Sequence, residues 1–353
     1  MAYTTIDDAS AFFQVKTWTG DGATSTRTIT NGANSELAPD MIFGACRSNV
    51  QHKWIQDSSR GFSTGNKELV TTGTQVEGDT GAVNSGAYGW LGPSVTDGFK
   101  TSKGSTNSGY WNVNARTYVA WQWKANGGTT ASNTDGSLTS TVQANTDAGF
   151  SIVTYTGNGS NATIGHGLGE APKLVIVRAR SRISSWVVFH KDGFTTDDDY
   201  MVLQTTAAKS SQAGLWNNQY PSSTVFGASS DLWLNANGST YVAYCFAEKQ
   251  GYSKFGTYYG NGNTDGEFIY TGFKPALVIT KVVSDPNYGW VMADNARGPF
   301  NENDPSVYAN SSAAETTNDA NLDFLSNGFK CRGSTYPANA GGTNSFSYFA
   351  WAE

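Results

Sequence analysis

The stretch Tyr241-Val242-Ala243-Tyr244-Cys245-Phe246-Ala247-Glu248 decides how the chain is read, because versions of it recur. Tyr118-Val119-Ala120-Trp121-Gln122-Trp123 precedes it, and Tyr348-Phe349-Ala350-Trp351-Ala352-Glu353 stands at the last positions. Large aromatic and β-branched residues mixed with small ones fit a pleated, buried strand better than a helix. Each copy reads as the closing strand of one structural unit, with Tyr118, Tyr241 and Tyr348 as core anchors.

Working outward, each closing strand has an opening partner that runs into a Gly-Asx-Gly turn. These are Phe12 to Gly22, Phe150 to Gly159 and Tyr252 to Gly262. Gly and Asn there tolerate the positive φ that reverses a chain. A proline followed by an apolar run comes next, at Pro39-Asp40-Met41-Ile42-Phe43, Pro172-Lys173-Leu174-Val175-Ile176 and Pro275-Ala276-Leu277-Val278-Ile279. Proline suits a strand's first residue because it has no amide hydrogen to donate. Trp54, Trp186 and Trp290 follow at spacings of fifteen, fourteen and fifteen residues, and read as equivalent core anchors. The landmarks divide the chain into three tandem β-sandwich units: 1–124, with an N-terminal attachment segment at about Met1 to Phe13, then 149–248 and 249–353. Residues 125–148 read as a polar connector with a short strand at Thr139 to Gln143, so unit one is expected to be hinged against the other two.

Composition agrees with an all-β chain. Of 353 residues, 40 are Gly, 13% are aromatic and 15% are charged, which means many turns between short apolar strands. A net charge of −6 with no cluster of Lys and Arg argues against nucleic acid as a partner. Cys46, Cys245 and Cys331 are odd in number and show no paired spacing, so they read as free buried thiols. Met1 to Asp8 lacks a basic segment followed by an apolar one, and no apolar run is long enough to cross a bilayer. The expectation is synthesis and folding in a cytoplasm, without membrane insertion.

The chemistry-bearing residues are sparse. His52, His166 and His190 lack zinc-ligand spacing, and His166 within a Gly-rich turn reads as capping a backbone group or meeting solvent. Asp197-Asp198-Asp199 lacks the spacing of a calcium loop and reads as solvated. No nucleophile elbow or Walker loop is present, so neither catalysis nor a metal or other cofactor is expected. Sugar binding is the more plausible site chemistry, because sugars stack on aromatic faces and bond to amides. Trp111, Asn112 and Asn114 in one loop, and Trp216, Asn217 and Tyr220 in another, offer that mixture. An exposed indole face beside free amides would support such a site, and a buried one would end it.

With its Gly-Asx-Gly turns, its Ile164-Gly165-His166-Gly167-Leu168-Gly169 segment before Pro172, and its Tyr-Val-Ala-Tyr-Cys-Phe-Ala-Glu ending at Glu248, the sequence resembles repeated β-domains in virion proteins of marine tailed bacteriophages, including cyanophages. Unit one departs from the pattern, since Asn34-Ser35-Glu36-Leu37-Ala38 precedes Pro39. The resemblance implies lectin-like or jelly-roll-like sandwiches in a non-enzymatic structural protein, either a tail-fibre-like appendage or a capsid decoration. It implies assembly in the host cytoplasm and residence in the virion. Other virion proteins are the expected partners, together with further copies of the chain as a homo-oligomer such as a trimer. A lectin-like module binding host glycans is the alternative, and a polysaccharide depolymerase the more remote one.

Overall fold

The closing strands run Thr117–Trp123, Thr240–Phe246 and Ser345–Trp351, and in each the first residue is half-buried and the next six are buried. Burial on both faces is why their sequences show no polar alternation. This computed structural model describes residues 4, 6–62, 67–78, 88–105, 110–317, 319–334 and 338–353. Apart from one 3-10 turn at Ala9–Ala11, the described elements are strands, so the protein is all-β as expected.

One strand order occurs three times. In unit one it is Phe13–Thr19, Thr117–Trp123, Met41–Cys46, Trp54–Asp57 and Leu69–Val70, with the closing strand between the opening strand and the one that follows the proline. Unit three repeats it with Ser253–Tyr259, Ser345–Trp351, Leu277–Val282, Val291–Asp294 and Val307–Tyr308. Unit two does so with Phe150–Thr156, Thr240–Phe246, Leu174–Ala179, Trp186–His190 and Asp199–Val202, and extends the sheet at both ends to eight strands. Each unit also contributes a smaller sheet of two or three strands.

Register corrects two of the sequence equivalences. Met41, Leu174 and Leu277 lie opposite Trp123, Phe246 and Trp351, so Tyr118 and Tyr241 correspond to Phe346 rather than to Tyr348. The stacked pairs agree: Trp18 with Tyr118, Tyr155 with Tyr241 and Tyr258 with Phe346, at ring separations of 5.2, 5.0 and 4.9 Å. Tyr348 is buried two residues further on, opposite Gly256. Trp54 is out of step by one. It stands opposite Gly44, whereas Trp186 stands opposite Arg178, and a one-residue slip in a strand turns a side chain to the other face. Trp54 therefore packs inside unit one against Trp111, while Trp186 and Trp290 pack between units.

A buried asparagine holds each Gly-Asx-Gly turn. The side-chain oxygens of Asn112, Asn235 and Asn339 accept from the amides of Asp21, Asn158 and Asn261 at 3.3, 2.9 and 3.0 Å. Their backbone oxygens accept from Gly22, Gly159 and Gly262, each at 2.9 Å. The approach is close enough that a Cβ on Gly157 would lie 2.3 Å from the Ala236 oxygen, so this position is restricted to glycine.

The three units close into a cycle around a shared core. Equivalent rings of Trp123, Phe246 and Trp351 form a triangle with sides of 6.3, 5.4 and 5.5 Å. Beside it lies a cavity of about 50 Å³ with a wholly apolar lining that includes Phe43, Ile176 and Ile279. At each seam one unit donates into its neighbour's carbonyls. Trp186 Nε1 bonds Val70 O at 2.7 Å, Trp290 Nε1 bonds Val202 O at 3.3 Å, and Lys53, which takes the place of the displaced Trp54, bonds Ala313 O at 2.9 Å.

Unit one is thus not hinged. Its Trp121 bonds unit three, its Asp57 bonds unit two, and its core residues are continuous with theirs. Nor is 125–148 a linker: Ala131–Asn133 and Ser140–Asn145 are strands, and the latter pairs along Phe150–Thr156. Its Ser, Thr and Asn content resembles linker composition, yet its β-branched residues suit a strand, and buried Gln143 bonds Ser58 and Ser59 of unit one. Of the expected attachment segment, Met1 to Tyr3 and Thr5 lie outside the described residues. Thr4 Oγ1 donates to Gln250 O, and Ile6 joins the shared core.

Candidate functional site

The two indoles expected to stack on sugar are fully buried. Trp111 packs against Trp54 and Tyr118, and Trp216 packs against Phe189 while its Nε1 donates to Asp199 O at 3.0 Å. Neither presents a face to a ligand, which removes the basis for the site. Buried Asn112 is a turn clamp and Asn217 donates to Ala162 O at 3.3 Å, so these amides serve the backbone. Asn114 is exposed, and Tyr220 is half-buried with the Lys191 ammonium 3.1 Å from its ring centre. The loops belong to units one and two, and each packs into its own unit. The signal was misleading because the amides that suggested sugar recognition are there to satisfy backbone donors and acceptors.

The other candidates also have structural partners. His166 is buried, with Nδ1 accepting from Leu168 N and Nε2 3.1 Å from Ser222 O, so it caps backbone and does not meet solvent. Asp199 is not solvated but buried, and receives Lys209 Nζ at 2.5 Å. Cys46, Cys245 and Cys331 are buried free thiols. Among the described residues no cluster of three His, Cys, Asp or Glu could hold a metal.

The seams carry the buried charge. Asp57 and Asp294, at equivalent strand ends, each hold the arginine three residues on, with Arg60 Nε and Arg297 Nε both at 2.5 Å. Each also accepts from the next unit: Tyr244 hydroxyl donates to Asp57 at 2.7 Å and Trp121 Nε1 donates to Asp294 at 2.9 Å. In the third seam the corresponding residues are His190 and Gly193. There His190 Nδ1 lies 2.9 Å from Ser347 Oγ, and its ring centre is 4.8 Å from that of Phe349.

Burial pushes the His190 pKa from 6.5 down to about 3, with Asp192 opposing and Lys173 assisting. Between those values the unfolded chain binds a proton that the folded chain refuses, so stability present above pH 6.5 is lost as pH falls. The expected contribution is about 3 kcal/mol between pH 7 and pH 4. Denaturant midpoints at both pH values would measure it. His190→Gln should lose roughly that much of the slope, and equal slopes would refute the assignment.

Exposed aromatic side chains gather on unit three. Tyr259, Phe268 and Tyr270 are 68%, 43% and 55% exposed and border a groove of about 530 Å³ that also receives Thr257, Glu267 and Tyr348. The groove separates the edge strands of the two sheets, Ser253–Tyr259 and Phe268–Tyr270. By register, unit two has Thr156, Thr163 and Gly165 at the three aromatic positions. A residue-by-residue alignment of the repeats carries this contrast, whereas tryptophan in asparagine-rich loops does not signal it.

Fold and surface define an all-β chain of three topologically equivalent units, with an aromatic groove on the third. The chain belongs to a family described only as a domain of unknown function (DUF7483), whose profile matches residues 8–353. No curated protein and no solved structure matches it.

Proposed function

We propose that the protein is a non-enzymatic structural component of a tailed-phage particle, an appendage or capsid decoration that presents β-units outward. The observation carrying this reading is the closed cycle of three equivalent units around Trp123, Phe246 and Trp351. A triplicated frame with cross-bonded seams suits a rigid display element, and the resemblance of its repeats to phage virion domains supplies the setting. Other virion proteins are its partners, and many copies per particle add weak contacts into firm attachment. Assembly takes place in the host cytoplasm and the protein resides in the virion. Because one chain already supplies three similar faces, a homotrimer is one mode of assembly and not the sole route to threefold display.

The test is quantitative mass spectrometry of purified particles from a phage that encodes the chain. The expected result is a fixed copy number relative to the major capsid protein, resistant to salt washing. Absence from intact particles would overturn the reading. The glycan-binding alternative loses Trp111 and Trp216, and its remaining support is the aromatic rim of unit three.

A further inference from the structure

We propose that the open edge of unit three receives an extended strand of another polypeptide, which adds antiparallel to Ser253–Tyr259 and is gripped by Tyr259, Phe268 and Tyr270. This stands independently of the particle reading, since it rests on a comparison among the three units.

In unit two the corresponding place is filled by the chain itself. Ser140–Asn145 pairs with Phe150–Thr156, Thr141 lying opposite Thr154 and Val142 opposite Val153. The same segment reaches the smaller sheet, where Leu138 N donates to Thr163 O at 3.0 Å and Ser140 Oγ to Gly165 O at 2.7 Å. One segment thus stitches together the edges of both sheets. In unit one the gap is crossed by side chains, with Lys16 Nζ bonding Asn31 O at 2.6 Å and Gln14 Nε2 bonding Ser35 O at 2.7 Å.

Among the described residues, unit three has neither device. Register places Gly256 where unit one has Lys16 and unit two has Val153. Among the described strands, none lies beyond Ser253–Tyr259 or Phe268–Tyr270 in their sheets. Phe255 N donates on the open side to Glu248 Oε1 at 2.7 Å. Antiparallel alternation then turns the N–H groups of Thr257 and Tyr259 to that same side. They stand where Thr154 and Thr156 stand in unit two.

Two terminal strands beside a groove invite strand addition, in which backbone bonds give affinity and alternate side chains give selectivity. The unit-two strand indicates the occupant's chemistry. It is an uncharged extended segment with a β-branched residue opposite Gly256, where Val142 is buried opposite Val153, and with small hydroxyl residues before it. The aromatic residues at the Thr156, Thr163 and Gly165 positions enlarge the apolar contact available to a strand arriving from outside, which lacks the advantage of being tethered.

The test uses the full chain and a fluorescent peptide with the sequence Gly136 to Asn145, whose own place on unit two is already filled. Saturable binding is expected, with amide exchange at Thr257 and Tyr259 slowed about tenfold at saturation. Thr257→Pro removes an edge N–H that the sheet does not use, and should weaken binding at least about tenfold with an unchanged melting temperature. A triple variant, Tyr259→Thr with Phe268→Thr and Tyr270→Gly, leaves the backbone donors in place and should also bind more weakly, which keeps the test decisive if the proline variant fails to fold. No saturable binding would overturn the proposal. So would binding that ignores Thr257→Pro, disappears in the triple variant and is competed by maltohexaose, because the groove would then be an aromatic sugar platform.

Discussion

Asp294→Ala is expected to destabilise the protein by about 3–5 kcal/mol, the cost of leaving a buried charge without its partner. Asp294 and Arg297 have no exposed side-chain surface, and the carboxylate accepts from Arg297 Nε, Trp121 Nε1 and the amides of Ala296 and Arg297. Truncation removes the seam bond to Trp121, leaves the guanidinium with Glu315 at 3.2 Å as its nearest remaining anion, and orphans the indole N–H. Asp294→Asn keeps the shape and an acceptor oxygen but not the charge, so a smaller loss of the same sign is expected. A double variant, Asp294→Ala with Arg297→Met, should recover a substantial part of the loss, because a buried pair is costly chiefly when only one member is removed. Urea unfolding of the three variants separates these terms. A loss below about 1 kcal/mol for Asp294→Ala would mean that water reaches the seam and screens it.

The repeat was legible in the sequence because its closing strands are buried on both faces, a constraint that leaves little choice of residue over Val119 to Trp123 or Val242 to Phe246. Register was not legible. Trp54 and Trp186 both follow a proline strand at similar distance, but a tryptophan records volume and not the face it occupies. The one-residue difference that sends Trp54 inward and brings Lys53 to the seam leaves no compositional trace. Tyr348 misled in the same way: its Tyr-Phe-Ala-Trp context imitates Tyr118-Val119-Ala120-Trp121, while the actual counterpart of Tyr118 is Phe346. The closed cycle was hidden for a further reason. A strand apolar on both faces reveals that two layers cover it, but not whether the second layer comes from its own unit or a neighbour. Asn112 and Trp216 failed as site residues because polarity in a loop was read as outward recognition. The backbone of a tight turn needs buried acceptors just as strongly, and Asn112, Asn235 and Asn339 all meet that need.

Trp351→Ala should produce a loss of comparable size, about 3–5 kcal/mol, expressed through all three units together. The ring is buried and contacts Phe13 and Trp123 of unit one, Phe246 of unit two and Phe255 of unit three, with centroids 5.3 to 6.2 Å away. Removing it extends a cavity that already exists, and the neighbours cannot collapse into the space without shifting three sheets whose seams are hydrogen-bonded. Poor relaxation places the cost in the upper part of the range for large-to-small substitutions. The form of the unfolding curve matters as much as its midpoint. Independent units on a string would show separate transitions and confine the damage to unit three. A shared core predicts one transition, coincident by circular dichroism and by fluorescence, with amide protection lowered alike around Val119, Val242 and Phe349. Retained protection in units one and two, with unit three alone weakened, would show that the three units meet at the axis without folding as one.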